Sequence, residues 1–413
     1  MSSAPTPPES ARSVTLPKGF RAAGGTCGIK ESGKPDLTLI AAEQTCAAAA
    51  VFTTNAFKGA PVLVGMRHMQ RSAGRARAIV ANSGNANVAT LAAGGEDHAI
   101  AMCRAAAEAV GCDPHEVLPA STGVIGRPLP IDPIVQGIRD LGPKLSVGPD
   151  ADTAAAAGIL TTDLVPKSAV VERDGYCLAG IAKGSGMIAP SMATMLVFLT
   201  TDADLAPADL QHALNLANAA SFSRISVDTD TSTSDTVYLL ASGAADHPPI
   251  SRDTPAFDAF VDALTELCRD LADQVVRDGE GATLTFAVHV RGAASVEDAD
   301  RIGRAVVDSP LVKCAIHGRD PNWGRLVMAA GKSGATIDPD RFTAKIQGVT
   351  VFEDRRPTVT EPDALAALSQ KMDTAPDGRI EIELHAHQGD AEATWLGCDL
   401  SRQYVAINAD YTT

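Results

Sequence analysis

Helix-like and strand-like stretches come in unmixed blocks along this 413-residue chain, and that order constrains its fold more than any other feature. Short β-rich runs crowd the beginning, Leu37–Ala42, Ala49–Thr53, Val62–Met66 and Ala78–Ala81, with Gly, Pro and Asn punctuation among them. Apolar residues at helical spacing follow over Glu96–Val110, then a strand-like Glu116–Ala120, then helical stretches over Ile131–Leu141 and Ala151–Leu160. Ala169–Glu172 and Tyr176–Ile181 read as a hairpin turning at Asp174-Gly175. The run Thr194–Thr201 is a dense strand signal, Pro207–Ala220 and Pro255–Arg277 are amphipathic helices, and Thr283–Val290 alternates cleanly. The end is read as β-rich, through Ile380–Leu384, Ala393–Asp399 and Tyr404–Ile407. Blocks of this kind predict an α/β fold, an α+β layered sandwich, rather than repeated βαβ units.

Composition limits what such a sandwich can be. Aromatic residues make up only 4%, against 35 glycines, so the layers must meet through small side chains. Fifty acidic against 35 basic residues give a formal charge of −15, which disfavours nucleic acid and anionic membrane surfaces as partners. No apolar run approaches the roughly 18–20 residues of a spanning helix. Eight cysteines contain no CxxC pair, which points to reduced thiols and a cytoplasmic setting. Residues 1–13 are rich in Ser, Pro and Ala and read as a disordered tail, while a charged helical shift near 295–304 could open a C-terminal subdomain.

The least ordinary stretch is Lys183-Gly184-Ser185-Gly186-Met187-Ile188-Ala189-Pro190-Ser191-Met192-Ala193-Thr194. Gly184, Gly186 and Ala189 fit the dinucleotide fingerprint in spacing, but that fingerprint opens a helix, and here Pro190 and a strand follow. Its other reading is a small-residue loop that delivers a hydroxyl to the start of a buried strand. Backbone cleavage at Ala193–Thr194 would give Thr194 a free α-amine, which titrates near neutrality and can act as base for the adjacent hydroxyl. A Gly-rich loop before a core strand is equally an ordinary structural element.

Other stretches carry weaker signals. Thr122-Gly123 offers a hydroxyl and an open backbone N–H, as an oxyanion requires, although most such loops are turns. Lys183 and Glu280 could pair with charges on a polar substrate. His385 and His387 share a strand face without a nearby third metal ligand, and Asp228–Thr236 lacks the Gly and terminal Glu of a calcium loop, so it reads as a hydrogen-bonded turn network. The polar stretch His317–Arg325 either folds a rigid loop or lines a site.

Taken together, these stretches resemble the ornithine acetyltransferase family, also called the glutamate N-acetyltransferase or arginine-biosynthesis bifunctional family. The resemblance is carried by Pro17–Phe20, Val51–Asn55, Asn82–Asn87, Ser121–Gly126, Thr161–Asp163, Lys183–Leu196, Asp228–Thr236, Asp278–Ala282, Asp320–Arg325 and Tyr404–Thr413. It implies a precursor that cleaves itself at Ala193–Thr194 into α (14–193) and β (194–413) chains, assembled as α2β2 on a sandwich like that of N-terminal-nucleophile hydrolases. Thr194 would be the nucleophile and Thr122 with Gly123 the oxyanion pair. Thr161, Lys183, Thr194, Glu280, Asn408 and Thr413 would bind substrate. The implied reaction moves acetyl from N2-acetyl-L-ornithine to L-glutamate without metal or cofactor. The sequence leaves open whether acetyl-CoA is a second donor. A Thr-nucleophile aminopeptidase or amidase, or a specialised-pathway paralogue, is the competing reading. The chain departs from the family pattern at Thr229, where Gly is commoner, at Thr283, where Lys is expected, and at Arg319, where a small or thiol residue is usual.

Overall fold

The computed structural model describes residues 13–189 and 195–410. In the first part β1 (Phe20–Gly25), β2 (Leu37–Phe52), α1 (Ala60–Arg71) and β3 (Arg75–Asn85) precede α2 (Gly95–Val110) and β4 (Val117–Val124). Two helices, α3 (Ile131–Leu141) and α4 (Pro149–Gly158), lead to the hairpin β5 (Lys167–Arg173) and β6 (Tyr176–Lys183). Then come β7 (Leu196–Thr201), α5 (Pro207–Ala219), β8 (Ile225–Ser226), β9 (Thr236–Ala241) and α6 (Pro255–Arg277). The last part holds β10 (Thr285–Ala293), α7 (Val296–Val307), α8 (Pro310–His317), α9 (Trp323–Gly331), β11 (Thr343–Ile346), β12 (Val349–Glu353) and β13 (Arg356–Pro357). It closes with α10 (Pro362–Asp373), β14 (Arg379–His385), β15 (Ala391–Cys398) and α11 (Arg402–Asp410).

These elements form two sheets in a layered α/β arrangement, the class expected. The larger runs β4-β3-β2-β9-β7-β6-β5, with β1 beside β2. Both of its faces are buried, and the strands alternate between them with the period of two that a pleat imposes. Val197, Leu199, Val237 and Leu239 join the core under α5 and α6, whereas Leu196, Phe198, Tyr238 and Leu240 join the opposite one with Ala155, Ala156 and Ile159 of the α4 region. Beneath α2 and α3, Leu39, Ala41, Ala78 and Val80 pack in a third cluster. Small residues allow the close approach. A Cβ on Gly24 would lie 1.9 Å from the Ala154 carbonyl oxygen, so α4 rests directly on the β1 backbone.

The smaller sheet runs β13-β12-β11-β14-β10-β15-β8 and has its own core, from Leu284 to Trp395, covered by α7 and α9. That core begins ahead of the composition shift near 295. Ser13, the last residue assigned to the N-terminal tail, is buried, and its N–H donates to Asp152 Oδ2 at 2.6 Å.

Two strand expectations are corrected. Val62–Met66 lies within α1, which Pro61 starts and which buries Val62, Gly65 and His68 on one face. Tyr404–Ile407 lies within α11, whose Tyr404 and Asn408 project one helical turn apart. In both segments β-branched or aromatic residues suggested a strand; α1 is held as a helix by its buried face, whereas α11 buries no residue fully. Among the described residues no helix is long and apolar enough to cross a membrane.

Candidate active site

Strand ends from distant parts of the chain meet at one cleft of about 190 Å³, lined by Thr122, Gly123, Thr161, Lys183, Glu280 and Asn408 among others. Those six are all of the expected site residues that are described. Ala193, Thr194 and Thr413 lie outside the described residues.

The Thr122-Gly123 corner is fixed by the Asn82–Asn87 segment beside it. β3 and β4 run parallel with Ser83 opposite Thr122 and Gly84 opposite Gly123, and the register breaks at Asn85. Gly123 has φ +128°, and a Cβ there would fall 2.4 Å from the Gly84 carbonyl carbon, so only glycine fits this turn. A buried amide network braces it: Ser121 Oγ donates to Asn82 Oδ1 at 2.6 Å, and Asn82 Nδ2 to the Asn85 carbonyl at 2.9 Å. Asn87 N–H donates to Asn85 Oδ1 at 2.8 Å.

Behind the cleft is a buried charge network. Lys167 Nζ donates to Asp163 Oδ1 at 2.7 Å and to Asp278 Oδ2 at 2.6 Å. Asp163 also accepts from the Thr161 N–H at 3.0 Å and the Gly184 N–H at 2.7 Å, so it ties two walls of the cleft together. Burial by itself would raise the Asp163 carboxyl, but the Lys183 and Lys167 ammonium groups outweigh it and hold that carboxyl well below its usual range. Lys183 is 2% exposed, its Nζ 3.9 Å from Asp163 Oδ2 and 3.4 Å from Thr122 Oγ1. Burial lowers its pKa, and Asp163 opposes that shift.

The opposite wall is acidic. Asp228, Asp230 and Glu280 all line the cleft with Tyr404 and Asn408. Glu280 Oε2 accepts from Asn408 Nδ2 at 2.8 Å. The same carboxylate lies so close to Gly186 that a Cβ there would come within 2.4 Å of it, which explains glycine in the 183–189 loop. Asp228 accepts from the Met187 N–H at 2.6 Å and the Ile188 N–H at 2.8 Å, and burial pushes its carboxyl up to about 6 despite these bonds.

Sequence reasoning missed Asp163, Lys167, Asp278, Asp228 and Tyr404 as individual contributors. Asp163, Asp228, Asp278 and Tyr404 fall in segments that carry the family resemblance but were not singled out, and Lys167 lies in none of them. Asp228–Thr236 does form the hydrogen-bonded turn network expected, with Ser234 N–H on Ser232 Oγ and Thr53 Oγ1 on the Ser232 carbonyl.

Two of the departures from the family pattern have local partners, and nothing in the structure explains the third, Thr229. Thr229 has φ +71°, a left-handed backbone that glycine adopts freely and a β-branched residue only with strain. Thr283 donates its hydroxyl to Asp399 Oδ2 at 2.6 Å, and Arg319 pairs with Asp373 on the surface. His317–Arg325 ends α8 and starts α9, with Asn322 capping the latter, and these residues do not line the cleft. His385 and His387 stack on each other at 3.6 Å, and Thr343 bonds His387.

The ArgJ family model matches residues 21–413. The arginine biosynthesis bifunctional protein ArgJ of Symbiobacterium thermophilum is 44% identical, covering 97% of this chain and 98% of that protein. Its counterpart from Dehalococcoides mccartyi is 42% identical, covering 97% of each. A crystal structure of the ArgJ protein of Bacillus halodurans is 36% identical over 52% of this chain and 98% of that one, with a TM-score of 0.49. Matched along nearly its whole sequence by these relatives and by the family model, the chain is an acyltransferase of arginine biosynthesis. It belongs to the ArgJ family.

Proposed function

We propose that the chain cleaves itself at Ala193–Thr194 and then transfers acetyl from N2-acetyl-L-ornithine to L-glutamate through an acetyl-Thr194 intermediate. The observation that carries this reading is the convergence of Thr122, Gly123, Thr161, Lys183, Glu280 and Asn408 on one cleft, at the point where the loop leading to Thr194 leaves β6. The new α-amine of Thr194 takes the proton of its own hydroxyl, and Oγ attacks the acetyl carbonyl. Thr122 Oγ–H and Gly123 N–H hold the oxyanion. Collapse expels ornithine, whose nitrogen receives the proton, and the amine of glutamate then attacks the acetyl-enzyme. Lys183 suits a substrate carboxylate and Glu280 an ammonium. Acetyl-CoA as a second donor and an α2β2 assembly belong to the same proposal.

Intact-mass analysis with an acetyl-transfer assay tests it. Sharing 42.6 kDa by residue count (193 and 220 of 413) gives fragments of roughly 20 and 23 kDa, the second starting at Thr194. Acetylglutamate must form with little free acetate. Acetate release irrespective of glutamate would mean that water is the acceptor, the amidase chemistry.

Thr122→Ala is expected to lower kcat by about 10²-fold with little change in KM, because an oxyanion donor acts in the transition state. Steady-state kinetics checks this, and an effect confined to KM would remove Thr122 from that role. The cleft must also admit two side chains of opposite charge in turn. As pH rises through about 6, Asp228 ionises, so KM for acetylornithine should fall several-fold and KM for glutamate should rise. KM profiles from pH 5 to 8 check this; Asp228→Asn should flatten both.

A further inference from the structure

Between α1, α2 and the turn that leads into β4 lies a second cavity, of about 450 Å³, walled by Arg67, His68, Arg71, Arg104 and His115. Three separate segments supply these groups: the last turns of α1, the middle of α2 and the residues just ahead of β4. No carboxylate lines the cavity among the described residues. In a chain with fifty acidic against 35 basic side chains, a wall of five basic groups is the opposite of what composition alone would give. His115 stands two residues before β4 and Thr122 near the far end of that strand, so at about 3.3 Å per residue the two are roughly 20 Å apart. The cavity is therefore separate from the cleft described above.

By itself this arrangement is costly. Arg67 and Arg71 are four residues apart on one helix, a like-charge pair that destabilises. Glu96 offsets Arg67 and Asp113 offsets His115, but Arg71 and Arg104 form no ion pair among the described residues. The negative end of α1 favours Arg71 in its last turn, whereas Arg104 stands in mid-helix and has no such compensation. His68 is only 6% exposed, and its ring meets that of His115 at 5.1 Å. Its Nδ1 lies 2.8 Å from the Val117 carbonyl, which can only accept, so Nδ1 donates and Nε2 is left without a hydrogen-bond partner among the described residues. Burial lowers the His68 pKa; the Val117 carbonyl opposes this, and the charges of His115, Arg67 and Arg71 lower it further. What the cluster lacks is a counter-charge.

We propose that this cavity binds the phosphate group of a small molecule, held chiefly by Arg71 and Arg104. A carboxylate is planar and is satisfied by one guanidinium fork. A phosphate presents oxygens in several directions and carries up to two charges, which suits donors that arrive from three segments. Ile100 and Pro114 add apolar surface to the wall, where the organic part of a phosphorylated molecule can rest. The proposal stands apart from the acetyl-transfer reading, because no residue of the cleft lines this cavity.

Isothermal titration of the whole protein at neutral pH and low salt tests the proposal, with inorganic phosphate, pyrophosphate and ADP as probes and succinate as the carboxylate control. Pyrophosphate should bind at least about tenfold more tightly than succinate. Arg71→Gln and Arg104→Gln, both exposed and each keeping most of the side-chain stem, should each weaken pyrophosphate binding about tenfold. Arg355→Gln removes the same charge from the exposed turn between β12 and β13 and should leave the affinity within about twofold. Given that pattern, ADP binding tighter than pyrophosphate identifies a nucleoside phosphate as the occupant, and ADP binding no tighter identifies free phosphate or pyrophosphate. Succinate binding as tightly as pyrophosphate, equal losses in Arg355→Gln and the cavity variants, or no binding of any phosphate at millimolar concentration overturns the proposal.

Discussion

Thr194→Ala leaves a single 42.6 kDa chain with transferase activity reduced on the order of 10⁶-fold. One atom explains both effects. In the proposed mechanism Thr194 Oγ attacks in self-cleavage and again in acetyl transfer, so removing it would block the step that creates the α-amine as well as the step that uses it. Because the two losses share one cause, no second-site change that restores cleavage alone should restore turnover. Thr194→Ser keeps the hydroxyl and should cleave, more slowly, and transfer acetyl. Intact mass and an assay for acetylglutamate on the same preparations decide it. A processed and active Thr194→Ala chain would refute the mechanism.

Lys167→Met is expected to be the most destabilising single change near the cleft, by about 3–5 kcal/mol. Its ammonium is fully buried and neutralises two carboxylates, Asp163 and Asp278, that come from opposite sides of the site. Methionine fills the volume but leaves both charges in a low-dielectric interior, with only Lys183 still near Asp163. Melting curves should show a fall in Tm of several degrees, partly recovered in Lys167→Met/Asp163→Asn, where one stranded charge is gone. The pH dependence has a definite sign. Because the folded-state pKa of Asp163 is depressed, its stabilisation is complete above the unfolded value near 4 and is lost as pH falls below it. Without Lys167 the depression weakens, so acid unfolding should begin at higher pH. An unchanged acid transition in Lys167→Met would mean that Asp163 is not held by this pair.

Both predictions concern groups that differ in how far the chain alone reveals them. The hairpin of β5 and β6, the alternation of Leu284, Phe286 and Val288 and the long amphipathic α6 were legible because each buries one face with a strict period. Val62–Met66 misled because local β-propensity is a weak force beside the packing of a helix face, and Tyr404–Ile407 is helical although α11 has no buried face. Thr122, Gly123, Lys183 and Glu280 were nameable because their neighbourhoods form recognisable segments. The triad of Lys167 with Asp163 and Asp278 was not, since Lys167 and Asp278 are separated by 111 residues and only the fold brings them within 2.6 Å.

The order of the larger sheet bears on what a cut in the loop between β6 and β7 would do. Strands β7 and β9, from beyond the cut, lie between β2 on one side and β6 on the other, both from before it. Lys183 and Leu196 face each other across the β6–β7 ladder, so the last paired residue of one fragment and the first of the other stay side by side. The two products would therefore be interwoven like the fingers of clasped hands. Neither could leave without tearing out the centre of the other's sheet, and the protein would remain one folded body after its covalent continuity is gone.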